Sequence, residues 1–216
     1  MDRFALNTSF KKTTDKIITF PLLLILSPFF CIILILMAFS MVIRPEDRGP
    51  FFYRETRYSQ GARFSIIKFR VLQYGLIKKI KNQTVTPRGM ERDFNNLTWI
   101  GKYLKKWFLD ELPQLINILK GGMSLVGPRP WNEMDYGSQV KRGVFYRRYM
   151  LAGLTGPGQL LKGQYSIEEM VHLSEAADLE YLNKCKSLRP LSLFLFDLSI
   201  IFKTFQTLLA GEGLFD

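Results

Sequence analysis

From Ile17 to Ile43 the chain reads IITFPLLLILSPFFCIILILMAFSMVI, without one charged residue. A helix of that length reaches roughly 40 Å against a hydrocarbon thickness of ~30 Å, so the pattern predicts a membrane-inserted helix. Ser27-Pro28 falls near its middle. Proline removes a backbone hydrogen bond and kinks a helix, and the serine hydroxyl can satisfy a freed carbonyl. Arg3, Lys11, Lys12 and Lys16 precede the run, and Arg44, Arg48, Arg54 and Arg57 follow it. Positive flanks stay on the cytoplasmic side. A helix that enters one leaflet, bends at Ser27-Pro28 and returns satisfies both features; a kinked helix crossing once is the other reading. A cleaved signal peptide fits less well, because the apolar run is too long and lacks a small-residue cleavage site.

Past Arg44 the pattern turns polar and mixed. Phe51 to Arg54 and Phe64 to Leu72 are β-prone and flank a Ser-Gln-Gly turn, predicting a short hairpin. A loop follows from about Lys81 to Asn96. Leu97, Ile100, Leu104, Trp107 and Phe108 then recur at helical spacing beside Lys102, Lys105 and Lys106, as in a helix lying in a membrane interface or one packed on the domain's own core. Leu112, Leu115, Ile116 and Leu119 predict a short helix stopped by Gly121-Gly122. Further helices are expected over about Ile167 to Lys184 and Pro190 to Leu209, the last with a wide apolar face. The expected fold class is therefore α+β and mainly helical, with residues 1–44 as a re-entrant membrane anchor and 45–216 as a small cytoplasmic domain carrying the hairpin and interfacial amphipathic helices.

The 216 residues carry a net charge of +11, which points to a polyanionic partner: nucleic acid, an anionic leaflet or a phosphorylated small molecule. Cys31 and Cys185 are the only cysteines, so there is no disulfide framework and no zinc spacing, and His172 is the only histidine. Carboxylates, arginines and lysines must carry any reaction.

The candidate chemistry lies in FLDELPQLINILKGGMSLVGPRPW, residues 108–131, where Asp110 and Glu111 adjoin at the head of an apolar run. Acids before a helix are ordinary caps, stabilised by free N–H groups, and that is one reading of the pair. The other is catalytic: a carboxylate held by helix-end donors has a lowered pKa, stays ionised, and can attack phosphorus or ligate a hard cation. A phosphate approaching two acids needs Mg²⁺ and guanidinium or ammonium groups to neutralise it, and Arg57, Lys68, Arg70 and Arg129 are candidates.

The order of segments resembles the bacterial sugar transferase family, the monotopic polyprenol-phosphate phosphoglycosyl transferases. The resemblance rests on Ser27-Pro28, Asp47 with Gly49-Pro50 and Phe52, Arg57, Gly61 and KFR at Lys68 to Arg70. LDELPQL at Leu109 to Leu115, MSLVGPRP at Met123 to Pro130, GLTGPGQ at Gly153 to Gln159 and DLSIIFKT at Asp197 to Thr204 complete it. It covers almost the whole chain. It implies that Asp110 attacks the β-phosphate of a UDP-sugar, releasing UMP, and that polyprenol (undecaprenyl) phosphate then takes up the phosphosugar. It further implies that Glu111 assists as base or metal ligand, that Asp110 and Glu111 hold Mg²⁺, and that the enzyme sits on the cytoplasmic face of the bacterial inner membrane. Gly122 stands where an Asp commonly precedes Met-Ser, Val71-Leu72 replace Thr-Met or Ser-Met, and Trp107-Phe108 replace a small polar pair. These departures leave the acids untouched and bear on local metal and sugar contacts. The chain is expected to be a minimal catalytic form, with membrane lipid as a partner, nucleic acid not one, and a homo-oligomer compatible with the sequence. A membrane-anchored basic module binding anionic lipid or nucleic acid would explain the charge but leave LDELPQL and VGPRP unexplained. An anchored hydrolase or glycosyltransferase would use the same acids without a covalent intermediate.

Overall fold

Proline at position 28 cannot donate to the carbonyl four residues earlier, that of Leu24, and in the structure the Ser27 hydroxyl donates to that carbonyl at 2.8 Å. The helix therefore continues as one element, α1 (Arg3–Ile43), in a computed structural model that describes residues 3–80, 87–161 and 167–210. It is followed by β1 (Phe52–Ser59), β2 (Ala62–Phe69), α2 (Tyr74–Ile80), α3 (Pro87–Met90), α4 (Trp99–Lys106), α5 (Gln114–Leu119) and β3 (Ser124–Val126). The remaining elements are α6 (Glu133–Lys141), β4 (Gly153–Thr155), α7 (Ile167–Ser187) and α8 (Pro190–Ala210). The fold is mainly helical with a hairpin, β1–β2, as expected, and has a second two-stranded sheet, β3–β4, that the sequence did not suggest.

The hairpin is longer than its sequence suggests. Gln60 and Gly61 both have positive φ, 51° and 76°, which makes a tight two-residue turn and zips the mixed segment Glu55 to Ser59 into β1, its charged and small residues Glu55, Arg57 and Ser59 included. Of the expected loop from Lys81 to Asn96, residues 81–86 lie outside the described residues; the rest forms α3 and a 3-10 turn over Phe94–Asn96.

The chain divides into two compact units. One comprises Leu22–Arg54 and Ile67–Pro113. Its core joins Ile33 and Met37 of α1 to Phe69, Val71, Leu72, Ile77, Leu97, Ile100 and Leu104, and the Phe69 ring sits 5.5 Å from those of both Phe30 and Phe52. The inner stripe of α1 is thereby covered, whereas Ile25, Phe29, Ile32, Ile35, Phe39 and Val42 are exposed. A helix that is apolar all round has met the protein along one line only. The turn after α1 is fixed by buried polar groups: Asp47 accepts from the Ser40 hydroxyl and from the Trp99 N–H at 3.0 Å. The Arg70 guanidinium donates to the carbonyls of Pro50, Leu72 and Asp47. Leu97, Ile100 and Leu104 enter the core, so α4 is a packed helix along that face, while Tyr103 and Trp107 stay exposed and Lys106 lies over the Trp107 ring. Gly101 lets α4 rest on the strand end, since a Cβ there would come within 2.4 Å of the Val71 carbonyl oxygen.

The other unit comprises the first 21 residues, Glu55–Ile66 and the chain from Gln114 onward. Its strands β3 and β4 run parallel, with Ser124 opposite Gly153 and Val126 opposite Thr155. A buried polar network ties α1 to α7 and α8. Lys11 pairs with Asp197, whose carboxylate also accepts from the Tyr181 hydroxyl at 2.7 Å, and Ser124 donates to Asp15 at 2.5 Å. The outer stripe of α8, Leu191, Leu195, Leu198, Phe202, Phe205 and Leu209, is exposed.

Candidate active site

After α4 the chain reverses at Phe108, a non-glycine residue in the left-handed region with φ 53°, and Leu109–Glu111 form a single 3-10 turn. Leu109 and Leu112 pack against the core. The residues between them are thereby aimed inward and sideways: Asp110 is 1% exposed. Neither of its carboxylate oxygens has a hydrogen-bond donor among the described residues. This overturns the capping expectation, because the turn is too short to supply helix-end N–H groups to the side chain.

Two ammonium groups stand near this acid. Lys68 donates to Glu111 at 2.6 Å, both side chains being largely buried. Lys105, at the end of α4, lies 3.8 Å from Asp110 Oδ2 and donates instead to Glu91. Burial pushes the Asp110 carboxyl up to about 6, opposed by Lys105 and Lys68 and reinforced by the charges of Glu111 and Glu91. The expected depressed pKa is thus reversed: removal from water outweighs the neighbouring cations. Burial alone would lower Lys105, but the Asp110 and Glu91 carboxylates outweigh it and raise its pKa.

The unit that carries the acids therefore brings together Asp110, Glu111 and Lys68, and adds Lys105 and Glu91, which the sequence did not single out. Lys105 was visible only as one of three lysines on an amphipathic helix, and Glu91 sits in a segment that reads as loop. Arg70 differs from expectation: it is 1% exposed and its guanidinium is engaged by three backbone carbonyls, so it has no face for a phosphate. Val71 and Leu72, which depart from the family pattern, are core residues.

Arg57 and Arg129 belong to the other unit. Arg57 donates to Glu55 at 2.7 Å and to the Pro130 carbonyl at 3.4 Å. Arg147 donates to the Arg129 carbonyl at 2.7 Å, pairs with Asp178 at 2.7 Å, and lies 4.1 Å over the Trp131 ring. The Gly-Pro-Arg-Pro loop is thus held from two sides by guanidinium groups, and Arg129 lines a small cleft with Tyr58, Trp131, Tyr136 and Arg147.

No cluster of three or more potential metal-ligating side chains occurs among the described residues. Mg²⁺ does not require one, since it binds through one or two carboxylates, waters and substrate phosphates. The two donorless oxygens of Asp110, with Glu111 adjacent, fit such an ion.

The model of the family described as "Bacterial sugar transferase" matches residues 6–211. A UDP-glucose:undecaprenyl-phosphate glucose-1-phosphate transferase of Escherichia coli is 31% identical over 204 residues, 92% of this chain and 40% of that protein. A protein of the same name from Caulobacter vibrioides is 32% identical over 83% of this chain and 64% of its own length. The exopolysaccharide production protein ExoY of Rhizobium meliloti is 32% identical over 94% of this chain and 87% of its own. The chain spans about two fifths of the length of the Escherichia coli relative.

Proposed function

Because the chain belongs to the bacterial sugar transferase family, we propose that it is a phosphoglycosyl transferase that moves a phosphosugar from a UDP-sugar to polyprenol (undecaprenyl) phosphate, with Asp110 as a covalent carrier. An Asp110 oxygen attacks the β-phosphorus; the bond from that phosphorus to the bridging oxygen breaks, and UMP leaves with the electron pair. A phosphate oxygen of the polyprenol phosphate then attacks the same phosphorus and expels the carboxylate, so Asp110 is regenerated and no proton is lost or gained at it.

The observation that carries this reading is the state of Asp110: an acid 1% exposed, with no donor on either oxygen and an ammonium 3.8 Å away. A carboxylate in that condition keeps its lone pairs for an electrophile while nearby positive charge keeps it ionised. A basic binding module has no use for such a group. Bound Mg²⁺, held by Asp110 and Glu111, would offset charge on the diphosphate oxygens. Lys68 keeps Glu111 oriented, while Arg70 holds the backbone after α1. The exposed apolar faces of α1 and α8 support attachment to the inner membrane, with the acids on the cytoplasmic side where nucleotide sugars are found.

A screen of UDP-sugars with Mg²⁺ and undecaprenyl phosphate tests the proposal. UMP is the expected product; UDP would indicate direct glycosyl transfer, and no turnover a binding module.

A further inference from the structure

Asp110 lies between two ion pairs whose hydrogen bonds bypass it. Lys68 is engaged by Glu111 at 2.6 Å on one side, and Lys105 by Glu91 on the other. Each ammonium near the acid is thus occupied by a different carboxylate, and the oxygens of Asp110 receive nothing among the described residues. The Lys105 ammonium at 3.8 Å is outside hydrogen-bonding distance of Asp110 Oδ2, yet lysine carries three donors on a flexible four-carbon stem. A movement of about an ångström would close a contact ion pair, and charge-assisted hydrogen bonds of that kind are about twice as strong as neutral ones. Glu91 is what the structure sets against that movement. Its segment is fixed: the Asn96 side chain and the Asp93 N–H both donate to the Met90 carbonyl, at 3.1 and 3.3 Å.

We infer that Glu91 is a positioning residue for the reaction: by holding the Lys105 ammonium it keeps the nucleophile Asp110 charged but undonated. This rests on the reading of Asp110 as the covalent carrier. The contact that Glu91 makes here is with Lys105, and its effect passes through that ammonium. When it is lost, Lys105 closes on Asp110, ties up the lone pairs that attack phosphorus, and slows formation of the aspartyl phosphosugar without altering how the UDP-sugar is held.

The test uses the full chain in detergent with Mg²⁺ and UDP-glucose, or UDP-galactose or UDP-N-acetylgalactosamine if glucose is not turned over, and no polyprenol phosphate. The rate of the single UMP burst is measured against sugar-nucleotide concentration for the wild type, Glu91→Gln, Lys105→Met and the double variant. Gln has the shape of Glu91 and fills the same space, so the fold is retained, with melting temperature as the check. Glu91→Gln is expected to slow the burst about tenfold with the half-saturating concentration unchanged within about twofold, and the double variant to be no slower than Lys105→Met, as for residues acting as one unit. A wild-type burst rate in Glu91→Gln, or a full further loss on adding it to Lys105→Met, overturns the inference while leaving the covalent reading intact. Absence of a burst from the wild type with a UDP-sugar that it turns over once undecaprenyl phosphate is added overturns the covalent reading, and the inference with it.

Discussion

The Lys68 ammonium sits 2.6 Å from Glu111 Oε1, with the two side chains 10% and 15% exposed, so the residue next to Asp110 is held by a pair largely removed from water. Removing one member leaves the other buried and uncompensated, which costs on the order of 3 kcal/mol, whereas removing both costs less. Lys68→Met should therefore lower the melting temperature more than Lys68→Met combined with Glu111→Leu. Equal or additive losses in a double-mutant cycle would show that the pair has no coupling.

Asp110→Asn should reduce turnover to less than a few per cent of wild type, because an amide is a very poor nucleophile toward phosphorus. The same substitution should make the protein more stable. The folded-state pKa of about 6 lies above the ordinary carboxylate value of 3.8, so the folded state binds this proton more tightly than the unfolded chain. Below pH 4 both states hold it; between 4 and 6 the unfolded chain ionises first and stability falls, reaching its lower plateau above 6. Removing the charge should recover on the order of 1 to 3 kcal/mol at pH 7.5, read from denaturant melts in detergent. A destabilised variant would mean that the carboxylate has partners in solution.

The acid limb of kcat/KM should reflect the same group. Activity requires the ionised form, so the profile should rise through pH 6 and level off above pH 7. Lys105→Met, which removes a charge that favours the carboxylate, should move the limb upward. A limb near pH 4 in the wild type would mean that the acid is not desolvated in the free enzyme.

The topology is testable with cysteine labelling. In a chain whose Cys31 and Cys185 are replaced, Ala5→Cys should resist an impermeant thiol reagent in intact cells and react after lysis. Both ends of α1 are then cytoplasmic. Labelling from the periplasm in intact cells would establish a single crossing instead.

Much of the helical framework is readable from periodicity: the expected helices over about Ile167 to Lys184 and Pro190 to Leu209 are α7 (Ile167–Ser187) and α8 (Pro190–Ala210). The errors share a cause. Glu55 to Ser59 enter a strand because a two-residue turn dictates pairing, whatever the propensity of the residues paired. The first 14 residues of α1 read as a charged flank, yet Lys11 and Asp15 are buried against residues 186 and 109 positions away. Asp110 looks like a cap because local pattern cannot register that Phe108 turns left-handed and puts Asp110 inside a 3-10 turn, with α5 starting only at Gln114. Glu91 is invisible for the same reason, since its importance lies in an ion pair with a residue 14 positions later.

The network that joins Lys11 to Asp197 also has a bearing on the order of events during synthesis. The amino-terminal turns of α1 emerge first, and the residue that neutralises Lys11 emerges 186 positions later. At 5–20 residues per second the interval is about 10 to 40 s. Throughout it, Lys11 and Asp15 cannot be buried in their final setting, although the apolar run beyond them is ready to enter lipid. The apolar run is thus synthesised before the Lys11–Asp197 pair can form, and that closing step waits for α8, so a nascent chain stalled before Asp197 would leave Lys11 without its partner.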